Sequence, residues 1–224
     1  MEARTAIVFG ATGLVGNLLL EELINSAAYS AIKIFVRQST GISGPLVEEI
    51  ITDFSDPDSL SARLTGDDLF ICLGTTIKKA GSVANMEKVD RDLPVKIAEL
   101  ACKNGLRNIA VISSIGANEN SKNYYLRIKG EMEKGILSLN IENTVIVRPS
   151  MLFGERKEKR TGEVVGKVVI KAFQPVLSGK LLKYRAIHAR DVAKAMILLL
   201  KQKKEKTIFE SDELQKIAFV FINL

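Results

Sequence analysis

The sequence predicts an α/β fold built on a doubly wound parallel sheet with helices on both faces. Short β-branched and apolar runs alternate with segments of helical period, the order expected of parallel strands joined by helices. A glycine-rich turn separates the first strand from the first helix. The composition is ordinary for a globular chain, 46% hydrophobic and 26% charged residues over 224 positions, which argues against disorder. That length favours one domain over two, so residues 1–224 read as a single domain whose last part, from about 150 to 224, forms small additions at one end. A chain of this size buries enough surface to need no metal or disulfide staple.

The elements follow in order. Thr5 to Phe9 reads as the first buried strand, and Val15, Leu18, Leu19 and Leu23 then recur at helical spacing. Ile32 to Val36 and Val47 to Ile51 are the next strands, the latter ending at Asp53-Phe54. Asp56-Pro57 reads as an N-cap followed by proline at the first helical position of a short helix through Leu64. Leu69 to Leu73 is the fourth strand, and Met86, Val89, Leu93, Ile97 and Leu100 form the stripe of one long helix. Ile109 to Ile112 is the fifth strand, Ile128 to Leu139 marks a helix, and Thr144 to Val147 is the sixth strand, stopped by Pro149. Beyond it, a helix is expected over Asp191 to Lys201, a helical stretch over Val164 to Phe173 and a short strand over Thr207 to Glu210. In such a sheet ligands bind at the carboxyl ends of the strands, where strand order reverses.

Counts exclude several function classes. Cys72 and Cys102 are the only cysteines and His188 the only histidine, so zinc fingers, two-histidine metalloproteases and disulfide frameworks are ruled out. Unpaired thiols suit a cytoplasmic protein. Lys and Arg exceed Asp and Glu by 32 to 26, but the basic runs 156–160 and 201–206 are broken by glutamates and read as solvated surface. No nucleic-acid or membrane partner is expected, and the oligomeric state reads as monomer or homodimer. Arg4 followed by the uncharged stretch to Leu20 superficially resembles a secretory leader, but Gly10, Gly13 and Gly16 interrupt it and Glu21-Glu22 follow.

Those glycines have a chemical reading. Gly10, Thr12, Gly13, Leu14, Val15 and Gly16 lie in a G-x-x-G-x-x-G turn between strand and helix. The glycines allow a tight turn, close approach of backbone to a pyrophosphate, and close helix–sheet packing. The helix amino terminus offers free N–H groups to the phosphates. An acidic residue at the end of the second strand would select NAD; Arg37 stands there instead and suits a 2′-phosphate, so NADP(H) is expected over NAD(H). Asp53 and Phe54 fall where an adenine would lie, and read equally well as a capping aspartate and a core phenylalanine. Leu73, Gly74 and Thr75 end the fourth strand, leaving room for a ribose.

Tyr125 and Lys129 are spaced i and i+4 at the start of a helix and share one face. Ser113-Ser114 end the strand before them. Carbonyl reduction needs a proton for the developing alkoxide, and a free phenol is too weak an acid near neutrality. A neighbouring ammonium stabilises tyrosinate, and a serine hydroxyl polarises the carbonyl. Ser114 reads as that polariser and Ser113 as strand-end structure.

Together these residues resemble the atypical and extended branches of the short-chain dehydrogenase/reductase superfamily, with its Rossmann fold. The segments Cys72-Leu73-Gly74-Thr75-Thr76, Val89-Asp90-Arg91-Asp92, Ser113-Ser114-x-Gly116-Ala117 and Tyr125-Leu126-x-x-Lys129-Gly130-Glu131 resemble the Tat-interacting-protein-like oxidoreductases. Arg148-Pro149 and Ile187-His188-x-x-Asp191 are similar to sugar-nucleotide epimerase relatives. The resemblance implies Ser114, Tyr125 and Lys129 as a catalytic set, with Lys129 also on the nicotinamide ribose, and a small carbonyl or alcohol as substrate. It equally admits a non-catalytic dinucleotide-binding regulator or an epimerase-like enzyme. Asp90 stands where many relatives carry an asparagine that supports the catalytic lysine through water, and the chain lacks the large carboxyl-terminal lobe of sugar epimerases. His188 and Arg148-Pro149 read as architecture near the substrate side.

Overall fold

A computed structural model describes residues 4–42, 44–154, 178–202 and 204–221. Strands β1 (Arg4–Phe9), β2 (Tyr29–Val36), β3 (Val47–Ile51), β4 (Asp68–Ile71), β5 (Asn108–Ile112) and β6 (Asn143–Arg148) pair in parallel, joined at the edge by β9 (Ile208–Glu210). The order β3-β2-β1-β4-β5-β6-β9 reverses between β1 and β4, and a doubly wound sheet opens its ligand crevice at that point. A second, two-stranded pair joins β7 (Leu152–Phe153) to β8 (Ile187–His188).

Residue alternation along the strands feeds two cores. On one face, Ala6 and Val8 of β1 and Val145 and Val147 of β6 pack under helix α1 (Leu14–Ile24) and helix α6 (Ala189–Lys201). On the other, Ile7, Phe9, Ile109 and Val111 pack under α4 (Leu93–Lys103) and α5 (Tyr124–Ser138). Phe9 stacks on Phe35 with ring centroids 4.5 Å apart, locking β1 to β2 at the crest. At the opposite ends of the strands, Asp68 is fully buried and accepts from Tyr29 Oη at 2.7 Å and from the Arg4 guanidinium. Burial, with Asp68 beside it, pushes the Tyr29 phenol well up, so it remains a donor.

Several boundaries move for local reasons. The last ladder bond of β4 is Cys72 N–H to Phe9 O, so β4 stops at Ile71, short of Leu73. Asp56 does not cap with its carboxylate. Pro57–Arg63 is a 3-10 helix whose Ser59 N–H and hydroxyl both bond the Asp56 carbonyl. The expected long helix over Met86 to Leu100 is broken into α3 (Val83–Glu87), a π turn (Lys88–Asp92) and α4, after a one-turn α2 (Ile77–Ala80). Pro94 has no N–H to return to the Asp90 carbonyl, while Leu93 N–H reaches back five residues to Lys88 O.

The final part of the chain is more integrated than expected. Of the additions foreseen from about 150 onwards, β9 lengthens the sheet and α6 covers its face beside α1. Arg190 of α6 ties to Glu22 and Glu21 of α1 at 2.6 and 2.7 Å. A helix not foreseen, α7 (Ser211–Phe221), buries Leu214 and Ala218, and Ser211 Oγ accepts from Ser150 N–H at 2.7 Å. The expected helical stretch over Val164 to Phe173 lies outside the described residues. No helix among the described residues is long and apolar enough to cross a membrane.

Gly130 is the tightest point of α5. A Cβ there would lie 2.2 Å from Glu119 N and 2.3 Å from Asn118 C. Backbone cannot yield cheaply, so Gly130→Ala is expected to cost about 1–3 kcal/mol of stability, measured as a lowered urea midpoint with an unchanged slope.

Candidate dinucleotide and catalytic site

The crevice is shaped first by missing side chains. Gly10 has φ +82°, a left-handed conformation that suits glycine. A Cβ on it would sit 2.5 Å from the Cys72 carbonyl oxygen across the β1–β4 reversal. A Cβ on Gly16 would fall 2.1 Å from Gly10 O, so the first turn of α1 lies against the loop it follows. Gly13 N–H closes the turn on Gly10 O at 2.9 Å. Gly13 is the N-cap of α1, no side chain caps that end, and its first turn holds no acidic residue. Thr12 is exposed, Leu14 half-buried and Val15 buried. Such a terminus presents free N–H groups and partial positive charge to an anion. The residues present therefore fit a pyrophosphate-bearing ligand.

Arg37 follows β2, is exposed, and forms no ion pair among the described residues. Its loop is braced one strand over, where Glu49 accepts from Thr40 N–H at 2.8 Å and Oγ1 at 2.6 Å. Asp53 is exposed and takes the Ser55 N–H at 2.8 Å, which holds its carboxyl below the usual range. Phe54 has φ +62° and packs tilted on Phe9 at 5.9 Å. A left-handed aromatic residue is a strained choice, and it fixes that ring beside the crevice. Leu73 is half-buried, while Gly74 is exposed with only Asp90 Oδ1 near its missing Cβ, at 3.5 Å. Thr76 caps α2 instead of facing the crevice. Burial pushes the Cys72 thiol up to about 12, so it is a neutral, unreactive group at the crest.

Lys129 is 2% exposed and Asp90 fully buried. The ammonium lies 3.1 Å from Asp90 Oδ1, and Asp90 Oδ2 accepts from Thr75 N–H at 2.9 Å. Among the described residues Oδ1 has no partner besides this ion-pair contact. Tyr125, one turn before Lys129, is more than a third exposed at the start of α5. Ser114 is half-buried, with Oγ 3.4 Å from Ile115 O. Ser113 is 3% exposed, continues the β5 ladder through its N–H to Val147 O, and has a buried hydroxyl without a partner among the described residues. The resemblance put Asp90 at the position expected to support Lys129 through water, and in the structure its carboxylate meets the ammonium directly.

His188 acts locally in the structure. Its Nδ1 accepts from Arg190 N–H at 3.1 Å and so caps α6, while its ring meets Phe153 edge-on at 5.2 Å. Arg148, at the end of β6, holds Glu133 of α5 through Nε at 2.8 Å and Nη2 at 2.5 Å. Among the described residues no cluster of His, Cys, Asp and Glu is placed to hold a metal ion.

A parallel sheet with this cradle at its reversal defines a protein of Rossmann fold. The chain belongs to the NAD(P)H-binding family, whose model matches residues 10–203. It is 37% identical over 162 residues to "Protein FMP52, mitochondrial" of Candida glabrata, covering 72% of this chain and 70% of that one. It is 30% identical to the Candida albicans protein of that name, covering 96% and 98%. Rattus norvegicus "Protein HTATIP2" is 33% identical over 73% of this chain and 69% of its own. Among solved structures, gox2253 superposes with a TM-score of 0.71 at 21% identity, covering 96% of this chain and 74% of that one. The Bordetella bronchiseptica enzyme WbmG in complex with NAD gives 0.70 at 12%, covering 100% and 79%. These two likenesses are of fold. The FMP52 relatives are named as mitochondrial proteins, which overturns the cytoplasmic expectation. Free thiols indicate a reducing environment and do not identify a compartment.

Glu133 is 3% exposed and depends on Arg148 for its counter-charge. Arg148→Met is expected to cost about 3–5 kcal/mol in chemical denaturation, since it strands a buried carboxylate. Under folding conditions the variant should keep wild-type dinucleotide affinity.

Proposed function

We propose that this protein is an NADP(H)-dependent oxidoreductase that transfers a hydride to or from a small carbonyl or alcohol, with Tyr125 as the proton donor or acceptor. The observation that carries the reading is the position of Lys129. Its ammonium is buried at the joint between α5 and the loop after β4, one helical turn along α5 from the exposed Tyr125.

Within that reading each group has a task. The backbone of Gly10, Gly13 and Gly16 and the bare terminus of α1 bind the pyrophosphate. Arg37 takes a 2′-phosphate as a planar cation. Asp53 and Phe54 border the adenine, and Leu73, Gly74 and Thr75 border a ribose. When bound, the dinucleotide supplies or accepts the hydride. The Tyr125 hydroxyl gives the proton to the carbonyl oxygen or takes it from the alcohol, Ser114 donates a hydrogen bond to that oxygen, and Lys129 holds the adjacent ribose.

A dinucleotide-binding regulator without turnover is the second reading. The Lys129–Asp90 pair favours it, because the ammonium's charge is already matched by a carboxylate.

Two measurements test these assignments. Arg37→Asp should weaken NADPH binding at least about tenfold while changing NADH binding much less; equal losses for both would remove the 2′-phosphate role. On a panel of small aldehydes and ketones with NADPH, Tyr125→Phe should lose at least about a hundredfold in turnover and keep its cofactor affinity. Tight NADPH binding with no turnover by the wild-type protein on any substrate favours the regulator.

A further inference from the structure

Asp90 joins three segments that meet at the crest of the sheet. It rises from the π turn, takes the Thr75 N–H through Oδ2, and stands 3.1 Å from the Lys129 ammonium through Oδ1. Both side chains are almost wholly shielded from water, so neither charge is screened by solvent and each is felt strongly nearby. The loops flanking this pair, residues 73–76 and 113–118, carry no ionisable side chain, and the charged groups of the crevice, Arg37 and Asp53, follow β2 and β3 on the other side of β1. Asp90 is also the only carboxylate within ion-pair distance of Lys129 among the described residues.

The two oxidation states of a pyridine dinucleotide differ in one respect that matters here. The oxidised ring is positively charged and the reduced ring is neutral. An uncompensated ammonium beside the ring would disfavour the oxidised form. We propose that Asp90 is a charge-compensating and positioning residue: it cancels the Lys129 charge and fixes the loop at Thr75, so that the site accepts oxidised and reduced dinucleotide without electrostatic bias between them. This inference rests on the dinucleotide reading above. Pi turns recur at functional sites, and this one places a carboxylate under a lysine that α5 alone would leave unmatched.

The test is equilibrium binding of NADP+ and NADPH, with NAD+ and NADH run alongside. In Asp90→Asn the ratio of the oxidised to the reduced dissociation constant should rise by about tenfold over wild type, the effect of leaving one unscreened charge near another. Adding Lys129→Met to Asp90→Asn removes the stranded ammonium and should return the ratio to within roughly twofold of wild type. A purely structural role would weaken both forms together and leave the ratio unchanged. Asp90→Ser, which also removes the charge, serves if Asp90→Asn does not fold. If wild type binds the dinucleotides and neither charge-removing variant moves the ratio, the compensation role is overturned while the dinucleotide reading stands. If wild type binds neither pair, both are overturned.

Discussion

The site depends on one steric constraint, the space in which Gly16 meets the carbonyl of Gly10. With any side chain at Gly16, α1 would have to back away from the turn that begins it. Its amino terminus would then no longer open onto the carboxyl ends of β1 and β4. The same tightness governs Gly10 against Cys72 O. Close approach of backbone to backbone makes the crevice a surface of N–H groups and leaves room for a phosphate-bearing ligand.

Around that crevice the chain buries charge sparingly and in matched groups. Arg4, Asp68 and Tyr29 meet at the amino ends of β1, β4 and β2, each being the first residue of its strand. Arg148 and Glu133 join the end of β6 to α5, and Lys129 and Asp90 join α5 to the π turn. Desolvation offsets much of the attraction in such pairs. What they supply is registration: each links elements that the apolar layers alone would leave free to slide. The pairs at the carboxyl ends both hold α5, the helix that carries Tyr125.

Much of this architecture was legible because strands advertise themselves simply. Val47–Ile51 is bounded by residues that do not continue a strand, and its extent was read without error. The glycine turn was legible because strand before and helix after give its spacing a meaning. The π turn was not, since Met86, Val89, Leu93, Ile97 and Leu100 keep a spacing compatible with one unbroken helix; Pro94 was the available signal. Helix α7 was missed although Asp212 and Glu213 suit a helix start and Leu214 and Ala218 share a face. At the site, the i and i+4 relation of Tyr125 and Lys129 could be read from spacing. The partner of Lys129 was indicated only by the resemblance at Asp90, because a contact across 39 residues has no local pattern. Compartment was misjudged from two thiols, which carry too little information for it.

The bond from Arg190 to Glu22 spans 168 residues. Helix α1 is synthesised well before α6, which packs beside it on the same face of the sheet. Until then Leu19, Leu20 and Leu23 have lost part of their apolar cover. The turn that opens α1 is thus encoded well before the helix that packs beside it, so nascent chains lacking α6 would have reason to engage a chaperone at α1.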